Sequence, residues 1–351
     1  MRGAKVETQS MFSYLSPEQR VPADHPLRAI RVIVDQSLAE LDDHFSRIYS
    51  DLSHPSTPPE HLLRALLLQV FYSIRSERQL MEQLDDNLLF RWFVGLGMDA
   101  PVWVSTVFTK NRDRLLDHGT VQQFFRSVLD QARTQGLLSE EHFSVDGTLL
   151  GAWTSQKSFQ PKDPEDRSGD GSDFRGQERS NDTHASVTDP DARLYKKSPG
   201  EASRLAYLGH VLMDSRHGLI AGEQVTTADG TAEVDAATRL VDGLGGTRRI
   251  TLGADKGYDR QGFVPGSAGP ECDPPCGTQA EGIGHRRGRT TRHAGYAMSI
   301  HVRRLESIFA WMKTVVGMRK TRFRGLERVS LHFSLVATAY NLVRMARLGV
   351  A

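Results

Sequence analysis

The chain has 351 residues, of which 38% are hydrophobic and 25% charged. This ordinary globular usage excludes fibrous and fully disordered classes, and the length leaves room for two modest domains or one large domain with insertions. A net charge of +1 does not announce a polyanion binder, so any basic face must come from the distribution of charge rather than its sum.

Residues Met1–Ser10 carry no signal-peptide core, and no run approaches the roughly 18 apolar residues of a membrane span, so the expected location is the cytoplasm, with no membrane partner. From about Pro22 to Leu116 the pattern reads as helical. Pro26 to Leu38 has apolar residues at helical spacing behind Asp24, a candidate cap. A second helix is expected after Thr57, another candidate cap, and runs through Leu62, Leu63, Leu66, Leu67, Val70 and Phe71. Ser76 opens a third through Leu80 and Leu84, and a fourth from Asn87 closes at Gly95 or Gly97. Short helices with brief turns suit a helix-turn-helix arrangement, whose polar faces offer Arg75, Arg78, Lys110, Arg112 and Arg114 to DNA or to solvent.

A further helix spans Val121 to Gln135, and the character changes at Glu141. His142 to Asp146 reads as a short strand ending at an acid. Gln156 to Arg193 is polar and aperiodic, a long loop or insertion. Tyr207–Asp214 and Leu219–Val225 flank Ser215–Gly218 as a hairpin, Ala232 to Leu244 reads as a helix and Arg249 to Asp255 as a buried strand. The helical period returns over His301–Gly317 and Val329–Leu348. This order predicts an α/β fold, a mixed sheet flanked by helices, behind an all-helical N-terminal region.

Asp146 and Asp255 end short apolar runs and Glu306 lies on a helix. Three such carboxylates can share a pair of hard divalent cations, the arrangement used in phosphodiester chemistry. Lys313 follows Glu306 by two helical turns, so both can face one groove. Between Arg286 and Arg328 cations outnumber acids, which makes this part the better candidate for phosphate contact. Cys272, Cys276 and His285 give a partial zinc pattern, short of the four ligands a structural zinc takes. His210 could face the site or be a structural histidine, and Asp189 and Asp191 could approach it or form a turn beside Pro190.

Several strings in order, Pro22-Ala-Asp-His-Pro-Leu-Arg, Arg75-Ser-Glu-Arg-Gln-Leu, Phe90-Arg-Trp-Phe-Val-Gly-Leu, Lys110-Asn-Arg-Asp-Arg-Leu, Thr188-Asp-Pro-Asp-Ala-Arg-Leu-Tyr and Ala254-Asp-Lys-Gly-Tyr-Asp, resemble bacterial insertion-sequence transposases of the DDE type. The resemblance covers nearly the whole chain. It implies a helical DNA-binding and assembly domain over residues 1–137 and a ribonuclease H-like catalytic domain over 138–351, with a polar insertion at 155–204. It further implies that Asp146, Asp255 and Glu306 are the catalytic, metal-binding triad for two Mg2+ ions, with Mn2+ as a substitute. Lys313, Arg303, Arg304, Lys320 and Arg322 are expected to contact DNA. The expected partners are double-stranded DNA, as terminal inverted repeats and target, and further copies of the chain on that DNA near the bacterial nucleoid.

Three departures from the family pattern matter. Val104-Ser105 replaces an expected Asp-His pair, and Val302 stands where an arginine is usual. More seriously, Pro265 to Gly288 lacks the strand, similar to Asn-Val-Thr-Pro-His-Val-Ala, that members carry after the second aspartate. Back-translating Gly269–Thr278 with suitable codons and reading one nucleotide later yields that strand, so two compensating frame changes bracketing 265–288 are expected. An activity-impaired copy, or one that only binds element ends, is the alternative to an active enzyme.

Overall fold

The computed structural model describes residues 16–49, 57–117, 119–163, 179–196, 200–244, 250–254, 258, 272–273 and 305–349. Eight helices come first: α1 (Pro17–Arg20), α2 (Pro26–Glu40), α3 (Asp42–Ile48), α4 (Pro59–Phe71), α5 (Glu77–Asp86), α6 (Leu88–Val94), α7 (Ser105–Asp117) and α8 (Thr120–Thr134). Their starts follow local chemistry. Ser16 and Gln19 form a reciprocal capping box, Ser76 accepts from the Gln79 amide at 3.1 Å, and Asn87 accepts from Leu89 at 3.0 Å. Two expected caps are replaced. His25, not Asp24, caps α2 by accepting from Leu27 through Nδ1 at 3.2 Å. Pro58 precedes α4 without a side-chain cap, leaving Thr57 one residue too early. Gly95 stops α6 at φ +96, a left-handed conformation that favours glycine.

The sheet follows: β1 (His142–Gly151), β2 (Phe159–Pro161), β3 (His184–Ser186), β4 (Arg193–Tyr195), β5 (Arg204–Asp214) and β6 (Ile220–Thr227), then helix α9 (Ala232–Asp242), β7 (Ile250–Gly253) and β8 (Cys272–Asp273). Helices α10 (Leu305–Thr314) and α11 (Leu326–Arg347) complete the chain. β4 and β6 pair with β5, which pairs antiparallel with β1, and β1, β7 and β8 run parallel. This is the ribonuclease H-like mixed sheet behind a helical region. The polar stretch is more ordered than its sequence suggests, because β2 pairs with β3; three-residue strands are too short to display alternation. A two-residue strand also forms inside the segment read as patternless, where Cys272 pairs with Ile250.

Helix α9 covers one sheet face over Phe143, Val145, Leu212, Ile250 and Leu252. Helices α10 and α11 cover the other over Leu150, Tyr207, Val211 and Met213. α11 is buried almost all round, with its outer side against α2, α4 and α8. The N-terminal helices and this sheet face therefore share one apolar core. Gly209 permits the close approach: a Cβ there would lie 2.7 Å from the Phe333 ring. Two buried polar side chains of α11 are matched by the sheet. Asn341 receives the Ile220 amide at 2.8 Å and donates to its carbonyl at 2.9 Å, and Ser334 donates to Glu223 at 2.5 Å.

Val104 occupies the N-cap position of α7, its carbonyl accepting from Phe108 at 3.1 Å, and is 63% exposed. Val104→Asp is expected to raise stability by about 1 kcal/mol, read as a higher urea midpoint. Burial raises the Glu223 carboxyl from its ordinary 4.5 to about 7. Its stabilising protonated form is fully present below 4.5 and lost as pH rises through 7. Glu223→Gln should therefore match the parent near pH 4.5 and exceed it by roughly 1–3 kcal/mol at pH 8, in denaturation curves at both pH values.

Candidate active site

Asp146 lies in the middle of β1 rather than at its end, because Gly147 to Gly151 continue the ladder with β5. It is half-buried, stands opposite Val211, and its Oδ1 accepts from the Gly147 amide at 2.7 Å. Side chains alternate along a strand, so Asp146 shares the face of Leu150, under α10 and α11, and not that of Val145. On the reverse face a Cβ at residue 147 would lie 3.1 Å from Glu233 Oε1 and 3.2 Å from His210 Nδ1, leaving space for glycine behind the acid. His210 belongs to that reverse face, opposite Gly147. Its Nε2 pairs with the Thr226 hydroxyl at 2.8 Å, and burial, then Arg239, lowers its pKa to about 4. It packs the sheet as a neutral ring, turned away from Asp146.

Glu306 sits in the first turn of α10, which packs on β1. Leu305, Ile308, Phe309 and Met312 bury one stripe of this helix, and Glu306 stands exposed at its rim. Trp311 is a packing residue, edge-on to Tyr340 at 5.5 Å. Lys313 is half-buried on the same helix. Lys320 lies beyond it, where residues 319–321 run beside the end of β1: Gly151 donates to Arg319 at 3.0 Å and Thr321 to Gly151 at 2.7 Å. Its ammonium is 5.0 Å from the centre of the Trp153 ring, which is 49% exposed.

Arg322 is differently engaged. Its Nη1 donates to the Ile74 carbonyl at 2.6 Å and its Nη2 lies 3.3 Å from His332 Nε2. Burial, then Arg112, lowers its pKa. Arg112 is itself buried, paired with Glu77 and with Asp113 at 2.9 Å, its guanidinium 5.2 Å from the Phe323 ring. Arg114 lies over Tyr49, whereas Arg75 and Lys110 are exposed and Arg78 pairs with Glu82 at the surface. Asp255, Arg303, Arg304, Cys276 and His285 lie outside the described residues.

Two acids from the polar stretch have a role that sequence reasoning missed. Asp189 is fully buried, accepting from the Tyr207 hydroxyl at 2.6 Å and the Gly325 amide at 3.1 Å. Asp191 accepts from the Leu326 amide at 2.9 Å. Together they cap α11, satisfying amides that a helix start leaves open. Both flank the turn expected at Pro190, which the Ala192 amide closes by donating to the Asp189 carbonyl at 3.1 Å; what the sequence did not show is that their side chains also meet a helix start 135 residues away.

The donors Asp146 and Glu306 are hard oxygens on one sheet face, suited to Mg2+ or Mn2+ and ill-suited to soft metals. Among the described residues no group of three or more His, Cys, Asp or Glu gathers, and no helix is long and apolar enough to cross a membrane.

Residues 15–114 match the family described as Transposase domain (DUF772), and residues 139–342 match Transposase DDE domain. Among solved structures the chain is similar to a piggyBac transposase synaptic complex with hairpin DNA, at 10% identity and TM-score 0.40, over 93% of this chain and 76% of that one. It is also similar to a Mos1 transposase paired-end complex with the left transposon end, at 10% identity and TM-score 0.19, over 86% and 81%.

Removing the Tyr207 hydroxyl would strip a donor from a buried carboxylate. Tyr207→Phe is expected to destabilise the fold by about 1–3 kcal/mol, measured by urea denaturation.

Proposed function

The chain belongs to the DDE transposase family, and from that premise we propose that Asp146, Asp255 and Glu306 form a metal-binding triad for cutting and joining DNA at insertion-sequence ends. The observation that carries the reading is the shared face of Asp146 and the helix bearing Glu306. The parallel register supports the third member: β1 and β7 pair Ser144 with Gly253, the same sequence offset that separates Asp146 from Asp255. Two divalent cations, when bound, supply an activated attacking oxygen and stabilise charge on the leaving oxygen of an in-line displacement.

The chain's own residues do the rest. The Gly147 amide orients the Asp146 carboxylate from the backbone, and the exposed Glu306 completes the rim. Lys313 and Lys320 extend positive charge from the α10 groove to the end of β1, where a DNA backbone would lie, with Arg303 and Arg304 assigned to the same strand path. Arg322 acts from within, bracing these elements. Residues 1–137 are assigned to end binding and assembly and residues 138–351 to catalysis, on paired terminal repeats held by more than one copy of the chain.

A second reading, an end-binding protein with impaired chemistry, is favoured by the Pro- and Gly-rich composition of residues 265–288, which suits a sheet strand poorly. Nicking of end-sequence duplex in Mg2+ decides between them. The active reading expects cleavage that Asp146→Asn reduces to the metal-free background; binding without cleavage supports the second. Cleavage with no preference for element ends would instead indicate a general nuclease. Sequencing codons 260 to 290 tests the frame changes, and restoring the family-like strand should raise cleavage if they occurred.

A further inference from the structure

The turn between α4 and α5 does more than join two helices. Ser73 is the sole non-glycine among the described residues with positive φ, at +53, a conformation disfavoured for a side chain with a Cβ. Its hydroxyl donates to the carbonyl of Val315. The next residue, Ile74, accepts from Arg322 Nη1 at 2.6 Å. Two consecutive turn residues thus hold both ends of the segment that leaves α10.

Val315 immediately follows α10, its amide donating to Trp311 at 2.9 Å. Its own carbonyl belongs to the group that a helix end leaves without an intrahelical donor. Ser73 supplies that donor from 242 positions away in sequence. Beyond it the chain reverses at Gly317, φ +78, and Met318 donates back to Met312 at 3.0 Å. Glu306 is in the opposite, first turn of α10, about 13 Å along a rigid helix from Val315. Buried Phe309 and Met312 lie between them. Freeing one end of such a rod lets it tilt about its packed middle, and the other end moves.

We propose that the Ser73–Ile74 turn is the positioning element for the Glu306 carboxylate, through which the N-terminal helical region sets the geometry of the metal site. This rests on the reading of Glu306 as a metal-binding residue. Ser73 touches no reacting atom; it acts through α10. Its left-handed backbone is retained because it aims the hydroxyl at Val315.

Ser73→Gly and Ser73→Ala both remove the donor, but only glycine relieves the backbone. An effect shared by both variants therefore belongs to the hydrogen bond. Amide hydrogen exchange on the full-length chain should quicken about five-fold over residues 306–316 in both, with α2 and α4 unchanged. Affinity for Mn2+, measured by electron paramagnetic resonance without DNA or turnover, should fall about ten-fold. Ser73→Gly should do this without a lower Tm, which general destabilisation would not allow. Unchanged exchange, a change confined to one variant, or parental Mn2+ affinity in both would overturn the proposal. If the parent itself binds no Mn2+, or Asp146→Asn binds it equally well, the triad reading fails, and the exchange rates alone still decide whether the turn holds α10.

Discussion

Burial of α11 on nearly all sides is the constraint from which the rest of the architecture follows. A helix satisfies its own backbone, so it can pass through an apolar interior that no loop could cross. Its side chains then fix what lies around it. Phe333 demands a glycine at position 209, and Asn341 treats the start of β6 as a strand partner would. Asp189 and Asp191 close the exposed amides at its start. The helix faces the sheet on one side and α2, α4 and α8 on the other. Sheet and helical bundle are thereby made parts of one core.

That placement decides which sheet face can hold chemistry. The face under α9 is filled by Val145, Leu212 and their neighbours, with His210 kept neutral against Thr226. The opposite face is roofed by α10 and α11 but open at the rim where Glu306 emerges and Asp146 is half-exposed. A carboxylate at such a rim stays in contact with water while lying beside a rigid wall. The cations divide in the same manner. Arg112 and Arg322 are drawn inward, where Glu77, the Ile74 carbonyl, the Phe323 ring and His332 receive them, and Lys320 stays outside on Trp153.

Much of this was legible because local periodicity carries it. The Leu62–Phe71 stripe, the Ser76 and Asn87 caps and the two final helices need no distant partner to be read. The position of Asp146 was misjudged because an aspartate looks like a strand end, whereas nine pairs with β5 carry β1 on to Gly151. Arginines look alike in sequence, and only tertiary contacts separate Arg322, a brace, from Lys320, an exposed cation. The caps from Asp189 and Asp191 were hidden for the same reason: a side chain that meets an amide across the fold leaves no local period.

Among the described residues β1 pairs with β5 at nine positions, with β7 at three, and β7 with β8 at two. If each cross-strand pair contributes roughly 0.2–1 kcal/mol, these described pairs give β7 about 1–5 kcal/mol. Burial adds to them: Ile250 and Leu252 join Phe143 and Val145 beneath Ala237 and Val241 of α9. The strand that leads into Asp255 is therefore held from behind, by the face that takes no part in the proposed chemistry. Among the described residues that apolar contact does not involve 265–288, so under the proposed altered-segment reading the cost of a change there would fall on the approach to the second acid rather than on the fold as a whole.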